Sequence, residues 1–253
     1  MAKIFNKSLL KQNLIRSNKN FVKSNFFEHQ LIDNIIDDLN LLKKDFPKIL
    51  QIGAKDNYFQ QQIAKNKNPH KIITTNLVNI ANIDIICDEE YLPFKEQTFD
   101  LVFANLVFNY SNDILSCFAN LKKILKKDGL FIANIIGSQS LQNLRDLITN
   151  IEIKKYNKVS PRIMPFIRLE DASAIMQKIG FKNSVTDSYF IEIEYQNLKK
   201  FFDDVKNNGH SNILNSRNKD LTTSTYLQGI INDFKQKYHN KVAFEIITLN
   251  GWM

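Results

Sequence analysis

Asn82–Gly137 reads NIDIICDEEYLPFKEQTFDLVFANLVFNYSNDILSCFANLKKILKKDGLFIANIIG, and the order of its pieces decides the fold. The apolar run over Asn82–Asp88 ends in acid and predicts a strand running into a polar turn, Glu89-Glu90-Tyr91-Leu92-Pro93-Phe94. Thr98–Leu106 is a second apolar run, followed by an aromatic turn, Phe108-Asn109-Tyr110. Asp113–Lys126 has helical spacing, and Asp128-Gly129 is expected to reverse the chain into a further strand over Leu130–Ile136. Strand, strand, helix, strand in this order predicts a mainly parallel sheet with helical crossovers.

The same alternation extends outward. Upstream, Phe27, Leu31, Ile35, Leu39 and Leu42 space a helix over Phe26–Lys44, which Pro47 closes. Lys48–Gly53 and Lys71–Leu77 are short strands, with a helix over Asp56–Lys65 between them and Asp56 a candidate N-cap. Downstream, Leu141–Ile153, Glu170–Ile179, Leu198–Asn207 and Thr222–Tyr238 are helical, with Gly180 a stop signal. Phe181–Tyr195 and Val242–Leu249 are the last strands, making seven. Pro161 and Pro165 bar regular helix from Lys158–Ile167, within which Ser160–Phe166 reads as a stiff lid, and Asn208–Lys219 is a polar loop. The fold class is therefore α/β, with helices on both faces of the sheet. In such sheets ligands bind at the carboxyl ends of the strands, where Gly53, Asn76, Asp88 and Asn105 fall.

Composition narrows the class. A hydrophobic fraction of 43% over 253 residues suffices for one core, and no apolar run approaches a membrane span. The richness in Lys, Asn and Ile is what an A/T-rich genome writes, so Lys and Asn runs carry little weight. The net charge is +8, yet Lys3, Lys7, Lys11, Arg16, Lys19 and Lys23 all precede the first acid, Glu28. The charge thus belongs to a leading arm, residues 1–24, on a nearly neutral single domain, 25–253. A basic arm of this kind is a weak nucleic-acid signal. A peripheral membrane contact through it, or packing on its own domain, stays open. Cys87 and Cys117 are the only cysteines, and neither they nor the four histidines have metal-ligand spacing, so no metal is expected. No Ser/His/Asp or Cys/His set stands out.

The motifs resemble those of the methyltransferase-fold family that includes the mitochondrial complex I assembly factor known as an arginine hydroxylase, together with its bacterial relatives. More distantly the chain is similar to the O-methyltransferase of biotin synthesis. The resemblance rests on Ile4-Phe5-Asn6, Asp88 to Phe94, Phe99-Asp100-Leu101-Val102, Leu144-Arg145, Ser160-Pro161, Pro165-Phe166, Ser211-Asn212 with Arg217, and Gly251-Trp252. It runs nearly end to end, and the Ser-Pro, Pro-Phe and Gly-Trp pairs are its more specific parts. It implies a Rossmann-like class I methyltransferase fold using S-adenosylmethionine (SAM), with residues 138–168 and 197–225 as cap segments. It also implies that the arm is family structure rather than a cleaved presequence, and that the protein is bacterial and cytoplasmic.

On that resemblance the cofactor residues are Gly53, Asn76, Asp88, Glu89 and Asn105. Asp88 also reads as a plain turn aspartate. Tyr110, Arg145, Arg162, Phe166 and Arg217 are candidates for substrate or partner contact, with core packing or plain surface arginine as the competing readings. The sequence departs from the family at the cofactor loop. Gln51-Ile52-Gly53-Ala54-Lys55-Asp56-Asn57 keeps only the first glycine of a Gly-x-Gly-x-Gly loop. Lys55 and Asn57 replace the next two, Gln51 replaces an acid, and Asn76 replaces the ribose-binding acid. SAM carries a sulfonium and an ammonium, so Lys55 opposes it electrostatically. Three functions follow for comparison: a SAM-dependent enzyme acting on a protein, as in complex I assembly; a non-catalytic assembly factor using the former active-site face; and an RNA methyltransferase reading through the arm. Arginine hydroxylation would need an oxidant, and no two-His-one-carboxylate pattern for it is visible.

Overall fold

The computed structural model describes residues 3–80, 83–218 and 223–253. Seven strands form one sheet: β1 (Lys48–Ile52), β2 (Lys71–Asn76), β3 (Ile85–Ile86), β4 (Phe99–Asn105), β5 (Leu125–Ile136), β6 (Lys182–Glu194) and β7 (Lys241–Trp252). Their order is β3-β2-β1-β4-β5-β7-β6. The first five pair in parallel, and β7 runs antiparallel between β5 and β6. This is the mostly parallel sheet that the alternation predicts.

The period of two in each central strand feeds two cores. Leu101 and Phe103 of β4 face Ile35 and Leu39 of α2 (Phe26–Leu41) and Phe59 of α3 (Tyr58–Ile63). Val102 and Ala104 face the other way, toward Phe118 and Leu121 of α4 (Ile114–Ile124) and Met176 of α6 (Leu169–Ile179). Two further clusters close over the carboxyl ends. One joins Leu106 and Ile136 to α5 (Gln142–Tyr156), α7 (Leu198–Asn207) and α8 (Ser224–Tyr238). The other seats α1 (Lys7–Asn18) through Leu10 and Leu14 on Leu77, Val78 and Tyr110. The arm is thus helical and lies across the end of the sheet where ligands are expected.

Differences from the sequence reading are local. The third strand shrinks to two residues, and Asn82 and Thr222, the expected starts of that strand and of the last helix, lie outside the described residues, as do Lys219 and the first two residues of the arm. Asp128-Gly129 does not reverse the chain. Asp128 takes φ 61° within β5, and the pairing with β4 slips there, so the dipeptide is a bulge that re-aims a continuous strand. Asp56 does not cap α3 as its N-cap residue. Asn57 holds that place, while Asp56 accepts from the Tyr58 amide one residue in. Gly180 ends α6 at φ 76°, as its position predicts.

Candidate functional site

Four buried or half-buried polar side chains meet at the carboxyl end of the sheet. Glu28 sits on the inner face of α2, one turn before Ile32, and is 5% exposed. Lys55, in the loop after β1, reaches it at 2.5 Å and also donates to the Asn208 carbonyl at 2.7 Å. His210 follows α7 through Gly209, whose φ of +78° turns the chain inward. Its Nε2 lies 2.8 Å from Glu28 Oε1, and its Nδ1 meets the Tyr110 hydroxyl in a short hydrogen bond. A carboxylate only accepts, so Nε2 carries the proton and Nδ1 accepts from Tyr110.

The electrostatics agree with that assignment. Burial by itself would raise the Glu28 carboxyl, but Lys55 beside it and the His210 bond hold it down at about 2. Burial, with the Lys55 charge, lowers His210 and keeps it neutral. Tyr110 is pushed well above its ordinary value by burial and then by Glu28. The group is a closed network in which Glu28 stays ionised, His210 neutral and Tyr110 protonated.

A second cation occupies the acidic edge. Lys7 of α1 lies 3.1 Å from Asp88 Oδ1 and 3.4 Å from Glu90 Oε1, and it pairs closely with Glu89. The three carboxylates converge within 4.8 Å, and the ammonium sits among them. Burial works against the Lys7 charge, yet Glu89 and its neighbours raise its pKa. Burial likewise raises Glu89 despite Lys7. Asp88 also accepts from the Glu90 amide at 3.0 Å, so its turn role is present alongside the ion pair. Glu90 in turn accepts from the Asn112 amide at 2.7 Å, and Asn112 exchanges hydrogen bonds with the Phe5 backbone, tying down the start of the arm.

The remaining cofactor candidates are spent on the protein itself. Asn76 donates to the Ala54 carbonyl at 2.8 Å and accepts from the Val78 amide. An aspartate could not make the first of these bonds. Asn105 donates to the Glu28 carbonyl and accepts from Asn134. Gly53 has φ +73°, and a Cβ there would lie 2.2 Å from Val107 Cγ2, so its missing side chain serves packing. Gly53, Lys55, Asn76, Glu89 and Asn105 surround a cavity of only about 40 Å³, closed by Leu10 and Leu14 of the arm and by Tyr110 and His210. A pocket for a drug-sized ligand holds roughly 300 Å³ or more, well above this cavity.

The space lies on the other side of Tyr110 and His210, which also line a cavity of about 430 Å³. Arg162 and Phe166 line it too. Arg162 donates to Glu152 at 2.8 Å and covers the Tyr226 ring. Glu152 also accepts from the Ser160 amide, so this buried acid anchors the two-proline segment, which is irregular as predicted. Arg145 instead reaches the Met164 carbonyl, and Arg217 bonds the Leu214 carbonyl of its own turn. Sequence reasoning missed Lys7, Glu28 and His210. Glu28 had a signal: it shares a helical stripe with Ile32, Ile35 and Leu39, where a lone carboxylate needs a cation. His210, some 180 residues from its partner, had none.

The architecture and the position of this site define a Rossmann-like protein of the class I methyltransferase type. The family described as "Methyltransferase domain" matches residues 53–133. RP459 of Rickettsia prowazekii, which bears a methyltransferase name, is 31% identical over 183 residues, spanning 70% of this chain and 81% of RP459. "Arginine-hydroxylase NDUFAF5, mitochondrial" of Mus musculus is 28% identical over 246 residues, 91% of this chain and 71% of that protein. A Bacillus halodurans structure with a methyltransferase name, BH2331, aligns with TM-score 0.57 at 12% identity, covering 87% of this chain and 97% of the other, which speaks to fold alone. The chain belongs to the SAM-dependent methyltransferase-like family that contains RP459, and it is a homologue of NDUFAF5. Among the described residues, no helix is long and apolar enough to cross a membrane.

Proposed function

We propose that this chain serves the assembly of respiratory complex I in the bacterial cytoplasm by binding a protein partner, and that its SAM site is eroded. The observation that carries the second half is the Lys55–Glu28 pair. It fills the methionine end of the family's cofactor position with a cation, beside a remnant cavity of about 40 Å³. SAM would bring a sulfonium and an ammonium against a single carboxylate, one net positive charge more, to a place where Lys7 and Lys55 already neutralise the acids. The first half rests on similarity to NDUFAF5 over most of both chains. Gly53, Asn76, Asp88, Glu89 and Asn105 are in this reading the inherited cofactor frame. Tyr110, Arg145, Arg162, Phe166 and Arg217, with the cap segments 138–168 and 197–225, form the partner side.

Calorimetric titration of the full chain with SAM and with S-adenosylhomocysteine tests the erosion. No saturable heat and no thermal shift are expected at millimolar ligand, whereas micromolar binding would return the protein to the ordinary enzymes of its family. Deleting the gene in its own host tests the partner role. Assembled complex I on native gels should fall and recover on complementation, and an unchanged level overturns that role.

A further inference from the structure

We infer that the free edge of β6 is an interface between two copies of this chain, paired antiparallel about Ser188. β6 ends the strand order and bonds only β7, so along its 13 residues one side of the backbone has no strand beside it. Among the described residues, no other segment sends a backbone hydrogen bond to that side. The opposite edge of the sheet, β3, is two residues long and offers little to pair with. The Ser188 amide donates to the side chain of its own neighbour, Asp187, at 2.8 Å, so it points to the free side rather than into the β7 ladder. Backbone groups alternate in direction along an antiparallel strand, so Thr186 and Phe190 present theirs to the free side as well. Val185 and Phe190, 55% and 58% exposed, stand on the two faces of this stretch. A long edge with exposed apolar side chains is a template for a further strand.

The charges say which strand. Lys182 and Glu194 stand six residues before and six after Ser188 and are both exposed. Neither has a salt bridge among the described residues, since Lys241, across from Glu194 on β7, bonds Glu192 instead. A two-fold axis through Ser188 lays Lys182 of each copy against Glu194 of the other, forming two ion pairs. The same pairing sets Val185 opposite Ile191 and Thr186 opposite Phe190, and it bonds the Ser188 amide and carbonyl to those of the second copy. The bulge between Lys182 and Val185 slips that end by one residue, which a lysine side chain spans. Neighbouring registers lose the match. Centring on Asp187 opposes that carboxylate to itself, and centring on Thr186, Tyr189 or Phe190 gives Lys182 no acid. The end charges therefore select one geometry, and a patch that complements itself under a two-fold axis recognises a second copy. The two seven-stranded sheets then continue as one.

Neither the SAM site nor complex I assembly enters this inference, so it stands or falls apart from both. Sedimentation equilibrium of the full chain, over a series from low to high micromolar, should show a reversible monomer–dimer equilibrium. Ser188→Pro removes the outward amide while leaving the β7 ladder in place. That variant should stay monomeric with an unchanged circular dichroism spectrum. Glu194→Lys sets lysine against Lys182 twice per dimer and should weaken association roughly fivefold or more. Adding Lys182→Glu to Glu194→Lys exchanges the two charges and should restore the wild-type dissociation constant. If Ser188→Pro does not fold, the charge exchange decides, because both of its positions are exposed. A wild type that stays monomeric throughout the series overturns the inference and leaves the edge to a strand of another protein. A dimer that Ser188→Pro leaves intact overturns it too, as does an exchanged variant no tighter than Glu194→Lys.

Discussion

Lys55 Nζ lies 2.5 Å from Glu28 Oε1, joining the loop after the first strand to the helix before it. Lys55 is thus half of a largely buried ion pair, with side chains 10% and 6% exposed. Breaking such a pair leaves an uncompensated charge in the interior. Lys55→Met should destabilise the protein by about 3–5 kcal/mol. Lys55→Met with Glu28→Met removes both charges and should recover most of that loss. Urea unfolding followed by circular dichroism reads both, and a single variant as stable as the wild type would show that the pair does not form.

Acid should weaken this network in two stages. His210 has an ordinary value of 6.5 that burial lowers in the folded state, so below pH 6.5 the unfolded chain binds a proton that the folded chain refuses. Its contribution is present above 6.5 and is lost as pH falls toward its folded value. Glu28, lowered from 4.5 to about 2, contributes above 4.5 and loses that contribution as pH falls through 2. The wild-type melting temperature should therefore drop between pH 7 and 5, and His210→Phe should flatten that slope. Parallel slopes in the two proteins would mean that His210 is not held neutral.

Asn76 is expected to resist conversion into a ribose-binding acid. Asn76→Asp removes the donor to the Ala54 carbonyl and buries a carboxylate against that oxygen. A loss of about 2 kcal/mol follows, with no SAM binding gained. Calorimetric SAM binding by Asn76→Asp alone would show that the filled cavity is not the obstacle.

Lys7 fastens the arm over the acidic edge. Lys7→Met leaves Asp88, Glu89 and Glu90 converging without a cation and should destabilise the protein by about 1.5–3 kcal/mol. The amides of Leu10 and Leu14 should exchange with deuterium much faster, while those of β4 stay protected. Equal protection of the arm in variant and wild type would show that Lys7 does not hold it.

Much of the frame was legible because short-range chemistry writes it. Short, mostly apolar runs over Lys48–Ile52 and Phe99–Asn105 give strands buried on both faces, and the helical stripe of Phe27, Leu31 and Ile35 gives the helix packed on them. The loop Gly53–Asn57 displayed in advance a single glycine and the lysine whose ammonium reaches Glu28. Asp128-Gly129 misled because the same dipeptide makes a hairpin turn or a bulge, and only pairing with β4 chooses between them.

By itself, then, the sequence determined the order of strands and helices along the chain, the basic arm and which residues stand at the strand ends. It could not say where those residues point. Lys55 reads as a charge repelling SAM until Glu28 and His210, from distant segments, are folded onto it. Lys7 reads as a solvated charge until α1 crosses the sheet and meets Asp88. A side chain's charge is a local property, but its partner, its burial and the space left beside it exist only once the chain has closed.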